Sequence, residues 1–135
     1  MKQFYLKSLF FLLFVMIGAT ASATKINGIY YSFNKNAKTA EVTYQYYIYD
    51  HYHSNENAYS GDAIIPSNVI YEGESYTVTT IGDDAFRLCH GLTSVTIPNT
   101  ITYIGENAFE YCDGLNAVYI SDLNAWLNIG YPSSL

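Results

Sequence analysis

The chain has 135 residues, a net charge of −6 at pH 7, and as many as 15 tyrosines. It contains twelve acidic side chains and only six basic ones. It therefore lacks the cations that hold proteins on nucleic-acid phosphates, and anionic membranes should repel it. The length provides for one small domain. These properties argue against a nucleic-acid partner and against direct membrane binding.

Residues 1–23 are predicted to be a secretory signal peptide. Lys2 and Lys7 precede an unbroken apolar run at 9–17, and an Ala-Ser-Ala cleavage pattern occupies 21–23. The apolar run is shorter than the ~20 residues that a membrane span needs, although an uncleaved anchor is the alternative. Cleavage would leave four basic and twelve acidic side chains, a net charge of −8. We expect an exported protein that is extracellular, on the cell surface or in the periplasm.

Residues 24–62 are expected to form an N-terminal β cap. Two β-prone segments, 29–33 and 39–44, flank a polar loop and predict a hairpin. Residues 44–59 then carry six tyrosines. Those at 44–49 would lie on both faces of an extended strand, and residues 50–60 are expected to form a polar loop. Tyrosine provides contact area at low entropy cost, although packing against the cap is the alternative. The candidate binding residues in this segment are Tyr46, Tyr47, Tyr49 and Tyr52.

Two segments of the chain carry the same sequence pattern, 23 residues apart. Residues 81–97 (repeat one, IGDDAFRLCHGLTSVTI) match residues 104–120 (repeat two, IGENAFEYCDGLNAVYI). A period of this size is typical of leucine-rich repeats, which stack because one unit cannot bury its apolar face alone. The pattern therefore predicts a mainly β solenoid of about two and a half coils over 63–120. Short helical or 3₁₀ turns are expected at the Ala-Phe pairs, and a helix capped by Ser121 within 121–135.

The partial coil comes first in the chain. Ile65-Pro66 matches Ile97-Pro98, and nine extra residues at 70–78 predict an inserted hairpin near Gly73. The two cysteines occupy equivalent positions, where parallel side chains favour free thiols over a disulfide. The predicted core residues are Ile81, Phe86, Cys89, Leu92, Val95, Ile97, Ile104, Phe109, Cys112, Leu115, Val118 and Ile120, with Trp126 in the helix.

The motif Ile-Gly-x-x-Ala-Phe-x-x-Cys-x-Gly-Leu-x-x-Val-x-Ile-Pro at 81–98 resembles the BspA-type leucine-rich repeat of secreted and surface proteins from host-associated bacteria. The segments that flank the repeats are similar to those of family members as well. The resemblance implies a solenoid used for adhesion and protein–protein contact. Some family members bind extracellular matrix or host-cell proteins, so a host surface or matrix protein is the implied partner.

The sequence contains no pattern typical of a catalytic or cofactor site. His51 and His53 could share one strand face, but a metal site needs three or four ligands. We therefore expect neither enzyme activity nor a cofactor or metal. The outward strand residues proposed as further contacts are Thr93, Ser94, Thr96 and Tyr119.

Three hypotheses about function follow. The leading one is a secreted or cell-surface, non-enzymatic protein that mediates protein–protein interaction or adhesion. The second is a truncated or structural repeat fragment that assembles with longer repeat proteins, or with itself, through an open strand edge. The third, based on aromatic content alone, is a glycan-binding accessory module.

Overall fold

The computed structural model describes residues 23–44 and 59–132. Residues 1–22 of the predicted signal peptide lie outside this part. The same holds for the two histidines at 51 and 53 and for the candidate residues Tyr46, Tyr47, Tyr49 and Tyr52. The described elements are β1 (Thr24–Ile26), β2 (Ile29–Asn34), β3 (Thr39–Thr43), β4 (Gly61–Ile64), β5 (Asn68–Tyr71), β6 (Glu74–Ile81), β7 (Leu92–Ile97), β8 (Tyr103–Ile104), β9 (Ala117–Ile120) and α1 (Leu123–Leu127).

Two sheets contain these strands, and equivalent strands of the two repeats lie side by side. The first sheet has the order β1-β2-β3-β6-β5, with β8 also paired to β6, and the second has the order β4-β7-β9. Val95 pairs with Val118 in the second sheet, and Ile81 pairs with Ile104 in the first, both in parallel strands. Residues 23 positions apart are therefore neighbours, as the period predicts.

The partial coil keeps the same alignment despite its greater length. Ala63 of β4 pairs with Val95 of β7, an offset of 32 residues rather than 23. The nine additional residues form the predicted hairpin of β5 and β6. Its two turn residues, Glu72 and Gly73, have φ angles of 51° and 80°, as the tight turns of two-residue hairpins require. The insertion thus leaves the pairing of the second sheet intact.

The N-terminal cap is an extension of the first sheet. The predicted hairpin is confirmed as β2 and β3, and β3 pairs in parallel with β6, with Val42 beside Ile81. A further strand, β1, precedes them and was not predicted from the sequence. It turns into β2 at Asn27-Gly28, whose φ angles are 49° and 89°. Asn-Gly is a strong hairpin signal, so the sequence did carry the information for this strand.

The core runs continuously through the cap and the repeats. Phe86 is completely buried, and its ring stacks on that of Phe109 with centroids 5.1 Å apart and planes 4° from parallel. The predicted core residues that are buried are Ile81, Phe86, Cys89, Leu92, Val95, Ile97 and Ile104. Those that are partly buried against the core are Phe109, Cys112, Leu115 and Trp126.

The predicted burial of two residues in β9 is wrong. Val118 is 46% exposed and Ile120 is 37% exposed. Both occupy inward positions of repeat two, but no strand in residues 23–44 or 59–132 pairs with the far edge of β9. The period therefore correctly predicts that these side chains point inward, but it does not predict that they remain partly exposed to solvent.

The Ala-Phe segments, for which the sequence predicts short helical or 3₁₀ turns, form successive turns with i→i+3 hydrogen bonds and no regular helix. Asp84 and Leu88 have positive φ angles of 54° and 60°, and the equivalent Asn107 and Tyr111 have nearly the same values. This conformation directs backbone N–H groups to the next repeat instead of along a helix. The N–H of Phe86, for example, donates to the carbonyl of Ala108 at 2.8 Å.

The only helix in the described residues, α1, begins one residue later than expected and buries less. Its N-cap is Asp122, whose carboxylate accepts a hydrogen bond from the Ala125 N–H at 2.7 Å, and not Ser121. Trp126 packs partly against the core, whereas Leu123 and Leu127 are exposed. In residues 23–44 and 59–132, no helix has the length and apolar character needed to cross a membrane.

The stacked phenylalanines should contribute unequally to stability. We expect Phe86→Ala to lower the free energy of unfolding by about 3–5 kcal/mol, the usual cost of emptying a buried aromatic site. Phe109→Ala should cost clearly less, because the described residues leave this side chain only partly covered. Urea unfolding followed by circular dichroism measures both values. An equal or larger loss for Phe109→Ala would contradict this description of the core.

Candidate functional site

The second sheet presents one row of side chains to solvent, with one residue from each strand. Ile64 of β4 pairs with Thr96 of β7, and Thr96 pairs with Tyr119 of β9. Because paired residues of parallel strands point to the same side of a sheet, the three side chains are neighbours. Ile64 is 68% exposed and Tyr119 is 59% exposed. We call this row, together with Thr93, the outward face.

A carboxylate fixes the hydroxyl groups beside the outward face. Asp62 accepts hydrogen bonds from Thr93 Oγ1 at 2.9 Å and from Ser94 Oγ at 2.6 Å. These bonds, that of Ser94 first, hold the pKa of the Asp62 carboxyl below its usual value. The hydrogen bonds thus tie β4 to β7 at the point where Thr93 reaches the surface.

Ser94 is not available for contact, contrary to the sequence prediction. Its side chain is buried, and only 8% of it is exposed. The register shifts between Gly61 and Asp62, so that Ser94 pairs with Asp62 and Thr93 has no partner of its own on β4. Such a bulge disturbs the alternation of side chains along a strand. Thr93, Thr96 and Tyr119 are therefore the predicted residues that the structure brings together on the outward face.

Tyr59 joins the cap to the repeats and was not singled out from the sequence. Its hydroxyl donates to the Thr43 carbonyl at 2.8 Å and accepts from the Tyr30 N–H at 2.9 Å. Its ring lies 4.6 Å from that of Phe86, measured between centroids. Burial raises the pKa of the Tyr59 phenol well above its usual value. The two ends of the tyrosine-rich segment, Tyr44 and Tyr59, are therefore held close together.

An acidic recess of about 400 Å³ opens on the first sheet. Burial and the nearby charge of Asp83 raise the pKa of Glu41, which faces this recess. In the described part of the chain, no three His, Cys, Asp or Glu side chains are grouped closely enough to hold a metal ion. The residues that line the recess are Glu41, Thr43, Tyr44, Thr80, Gly82, Asp83 and Tyr103.

Charged side chains also pair between the two repeats at the 23-residue spacing. Arg87 Nε lies 2.7 Å from Glu110 Oε2, and His90 Nδ1 lies 2.8 Å from Asp113 Oδ2. The His90–Asp113 pair is exposed and the Arg87–Glu110 pair is half-buried, and ion pairs near the surface contribute little to stability. They do show that the stacking of repeats places a basic side chain against an acidic one.

The sulfur atoms of the two repeats are free thiols. Cys112 Sγ lies 3.0 Å from the Phe86 carbonyl oxygen, and burial raises the pKa of the Cys89 thiol to about 11. Both side chains serve as small apolar groups at equivalent positions of the stack.

A comparison of the sequence with known protein families also identifies repeats in this part of the chain. Residues 68–130 match the family described as a BspA-type leucine-rich repeat region (six copies). The chain therefore contains a BspA-type leucine-rich repeat region. The resemblance inferred from the Ile-Gly-x-x-Ala-Phe motif is thereby confirmed.

Several solved leucine-rich repeat structures are similar to this chain. A protein from Bacteroides capillosus has 32% identity and a TM-score of 0.58, over 74% of this chain and 66% of its own. One from Bacteroides ovatus has 33% identity and a TM-score of 0.56, over 70% and 22%. A leucine-rich cell surface protein from Faecalibacterium prausnitzii has 32% identity and a TM-score of 0.55, over 74% and 24%.

The chain thus spans just under two thirds of the first of these structures and about a quarter of the other two. None of the curated proteins matches it. These similarities support a strand-rich repeat fold, for which binding to other proteins is the general role.

The Tyr59 hydroxyl should stabilise the folded state, because it forms hydrogen bonds with two backbone groups. Tyr59→Phe keeps the ring against Phe86 but leaves the Tyr30 N–H and the Thr43 carbonyl without this partner. We expect the free energy of unfolding to fall by about 1–3 kcal/mol, the cost of unsatisfied buried polar groups. Tyr119→Phe, at an exposed position, is the matched control. Equal stability of Tyr59→Phe and the parent chain in urea unfolding would contradict this role.

Buried phenols also predict a loss of stability in alkali. Burial raises the pKa of Tyr31 to about 12, whereas an exposed tyrosine has a pKa of about 10. The folded state therefore binds this proton more tightly, and its contribution is complete below about pH 10 and falls as the pH rises toward 12. Urea unfolding above pH 10 should show a declining free energy of unfolding, with a smaller decline in Tyr31→Phe. The same slope in the parent chain and in Tyr31→Phe would rule out this origin.

Proposed function

We propose that the chain is an exported, non-enzymatic BspA-type repeat protein that mediates protein–protein contact or adhesion outside the cell. The family supports a role in protein binding in general, and the signal-peptide pattern of residues 1–23 supports export. One similar structure belongs to a leucine-rich cell surface protein. In this proposal the stacked repeats form a short solenoid whose purpose is to hold a surface in a fixed shape.

The proposed contact surface is the outward face. The observation that carries this assignment is the row of Ile64, Thr96 and Tyr119, with a large apolar side chain exposed at each end. Aromatic and aliphatic side chains held on a rigid strand lose little entropy when a partner covers them. The hydroxyl of Thr93, fixed by Asp62, adds a polar group at the rim of this row.

The tyrosine-rich segment is proposed as a second part of the same surface. Its candidate residues are Tyr46, Tyr47, Tyr49 and Tyr52. Support comes from Tyr59, which ties the end of this segment to Thr43 and lies two residues before β4, an edge strand of the second sheet. Tyrosine-rich segments next to a rigid sheet are well suited to protein recognition, because they supply large contact area with few rotatable bonds.

A matrix or host-surface protein is the proposed partner. A net charge of −6 disfavours nucleic acid and anionic lipid, and protein binding is the general role of leucine-rich repeats. The sequence lacks the residue patterns of a catalytic or cofactor site, which supports a role in binding rather than in chemistry.

Binding to a panel of immobilised matrix proteins (collagens, fibronectin, laminin) tests this proposal. We expect saturable binding of the purified chain to at least one of them. The double variant Ile64→Ser with Tyr119→Ser should have an affinity at least about tenfold lower, because it removes both large side chains of the outward face. Leu127→Ser is the matched control, since this leucine is equally exposed but lies on α1. Unchanged affinity of the double variant, or an equal loss in Leu127→Ser, would refute the assignment.

A further inference from the structure

The acidic recess is built on a row of side chains that crosses three strands of the first sheet. Glu41 of β3 pairs with Thr80 of β6, and Thr80 pairs with Tyr103 of β8, all in parallel strands. The three side chains therefore point to the same side of the sheet. Tyr44, directly after β3, and Asp83, two residues after β6, also line the recess. Two carboxylates and two phenol rings thus share one recess.

The carboxylate of Glu41 occupies this recess without a hydrogen-bonding partner among the described residues. Glycine at position 82 leaves room for it, because a Cβ atom there would lie 2.5 Å from Glu41 Oε1. Burial and the charge of Asp83 both raise the pKa of Glu41, and no group in residues 23–44 or 59–132 donates a hydrogen bond to its carboxylate. Asp83, by contrast, accepts a hydrogen bond from the Glu106 N–H at 2.8 Å. A cation in the recess would therefore relieve an unfavourable arrangement of two like charges.

The basic side chains in the described part of the chain are all held at other positions. Lys25 lies over the ring of Tyr30, 5.0 Å from its centroid. The others form the pairs Lys35–Glu72, Lys38–Glu74, Arg87–Glu110 and His90–Asp113. Residues 23–44 and 59–132 therefore do not supply a cation to the recess.

The N-terminal cap shows how this protein holds an ammonium group elsewhere. Lys35 Nζ lies 2.6 Å from Glu72 Oε2 and 5.5 Å from the centroid of the Tyr71 ring. A second set has the same arrangement, with the ammonium group 5.3 Å from the ring centroid, and consists of Lys38, Glu74 and Tyr76. In both sets a carboxylate and a neighbouring phenol ring bind one lysine, because each attracts a cation. The recess offers the same two kinds of group to a lysine that comes from outside.

We propose that the recess binds the ammonium group of a lysine side chain from a partner protein. The carboxylates of Glu41 and Asp83 neutralise its charge, and the rings of Tyr44 and Tyr103 contact the ammonium group and the methylene groups of the stem. Two carboxylates fall short of the about six to eight oxygen ligands that Ca²⁺ takes, so the donor set fits an ammonium group better than a metal ion. The choice of a protein as the source of the lysine rests on the proposed function, whereas the cation site does not.

NMR titration of the isotope-labelled chain with N-acetyl-lysine methylamide tests the recess directly. The backbone signals of Thr80, Gly82 and Asp83 should shift saturably as the ligand is added. N-acetyl-norleucine methylamide has the same aliphatic stem without the ammonium group and should leave these signals in place. Equal shifts with both ligands, or no shifts with the lysine ligand, would overturn the proposal.

Matched variants of the protein locate the bound ammonium group. Glu41→Gln keeps the shape of the side chain, removes its charge and should lower the affinity for the lysine ligand at least about tenfold. Glu72→Gln is the same change at an exposed carboxylate outside the recess and should leave the affinity unchanged. Tyr103→Leu should cause a smaller loss of about threefold, because it removes one aromatic ring. Thermal melts of each variant check that the fold is retained. An equal affinity of Glu41→Gln and Glu72→Gln would contradict the assignment.

Other cations identify competing ligands. A higher affinity for n-butylamine, which has the same charge and stem but no peptide backbone, would assign the recess to free amines and overturn the proposal. Saturation by Ca²⁺ at lower concentrations than the lysine ligand would assign it to a metal ion, with the same consequence. The titration contains no matrix protein, so its failure and a failure of the matrix panel are separate results.

Discussion

The 23-residue register between neighbouring repeats is the constraint on which the structure depends. It places Phe86 on Phe109, Val95 beside Val118, and Arg87 within reach of Glu110. A change of one residue in this spacing would turn every inward side chain of a strand to the other face. Additional residues are therefore accommodated only where they loop out of the stack. The hairpin of β5 and β6 does this in the partial coil and leaves Ala63 paired with Val95.

The period of the sequence predicts pairing well because pairing depends on spacing alone. Ile81 with Ile104 and Val95 with Val118 are neighbours for that reason. Burial depends in addition on whether a neighbouring strand covers the side chain, and the sequence pattern within a repeat does not contain that information. The prediction that Val118 and Ile120 are core residues is wrong for this reason. Ser94 shows a second limit, since a single bulge at Gly61-Asp62 overrides the alternation from which an outward direction was inferred.

The turns and the cap show how tertiary contacts override local preference. A leucine at position 88 with a φ angle of 60° has no basis in local propensity. This conformation is compensated because its N–H reaches Glu110 in the next repeat, so that the stack satisfies hydrogen bonds that a helix would satisfy internally. The role of Tyr59 was missed for a similar reason: its two hydrogen-bonding partners, at positions 30 and 43, are distant in the sequence.

The outward face is too small to form a stable protein interface by itself. Three strands at a spacing of ~4.8 Å, each about four residues long, give a face of roughly 10 Å by 13 Å. A stable protein interface needs about 800 Å² from each partner, which is several times this area. Tight binding therefore requires more surface than Ile64, Thr96 and Tyr119 supply. In the proposed function, the tyrosine-rich segment supplies part of this additional contact area, because Tyr59 at its end is anchored to the cap and lies next to the second sheet.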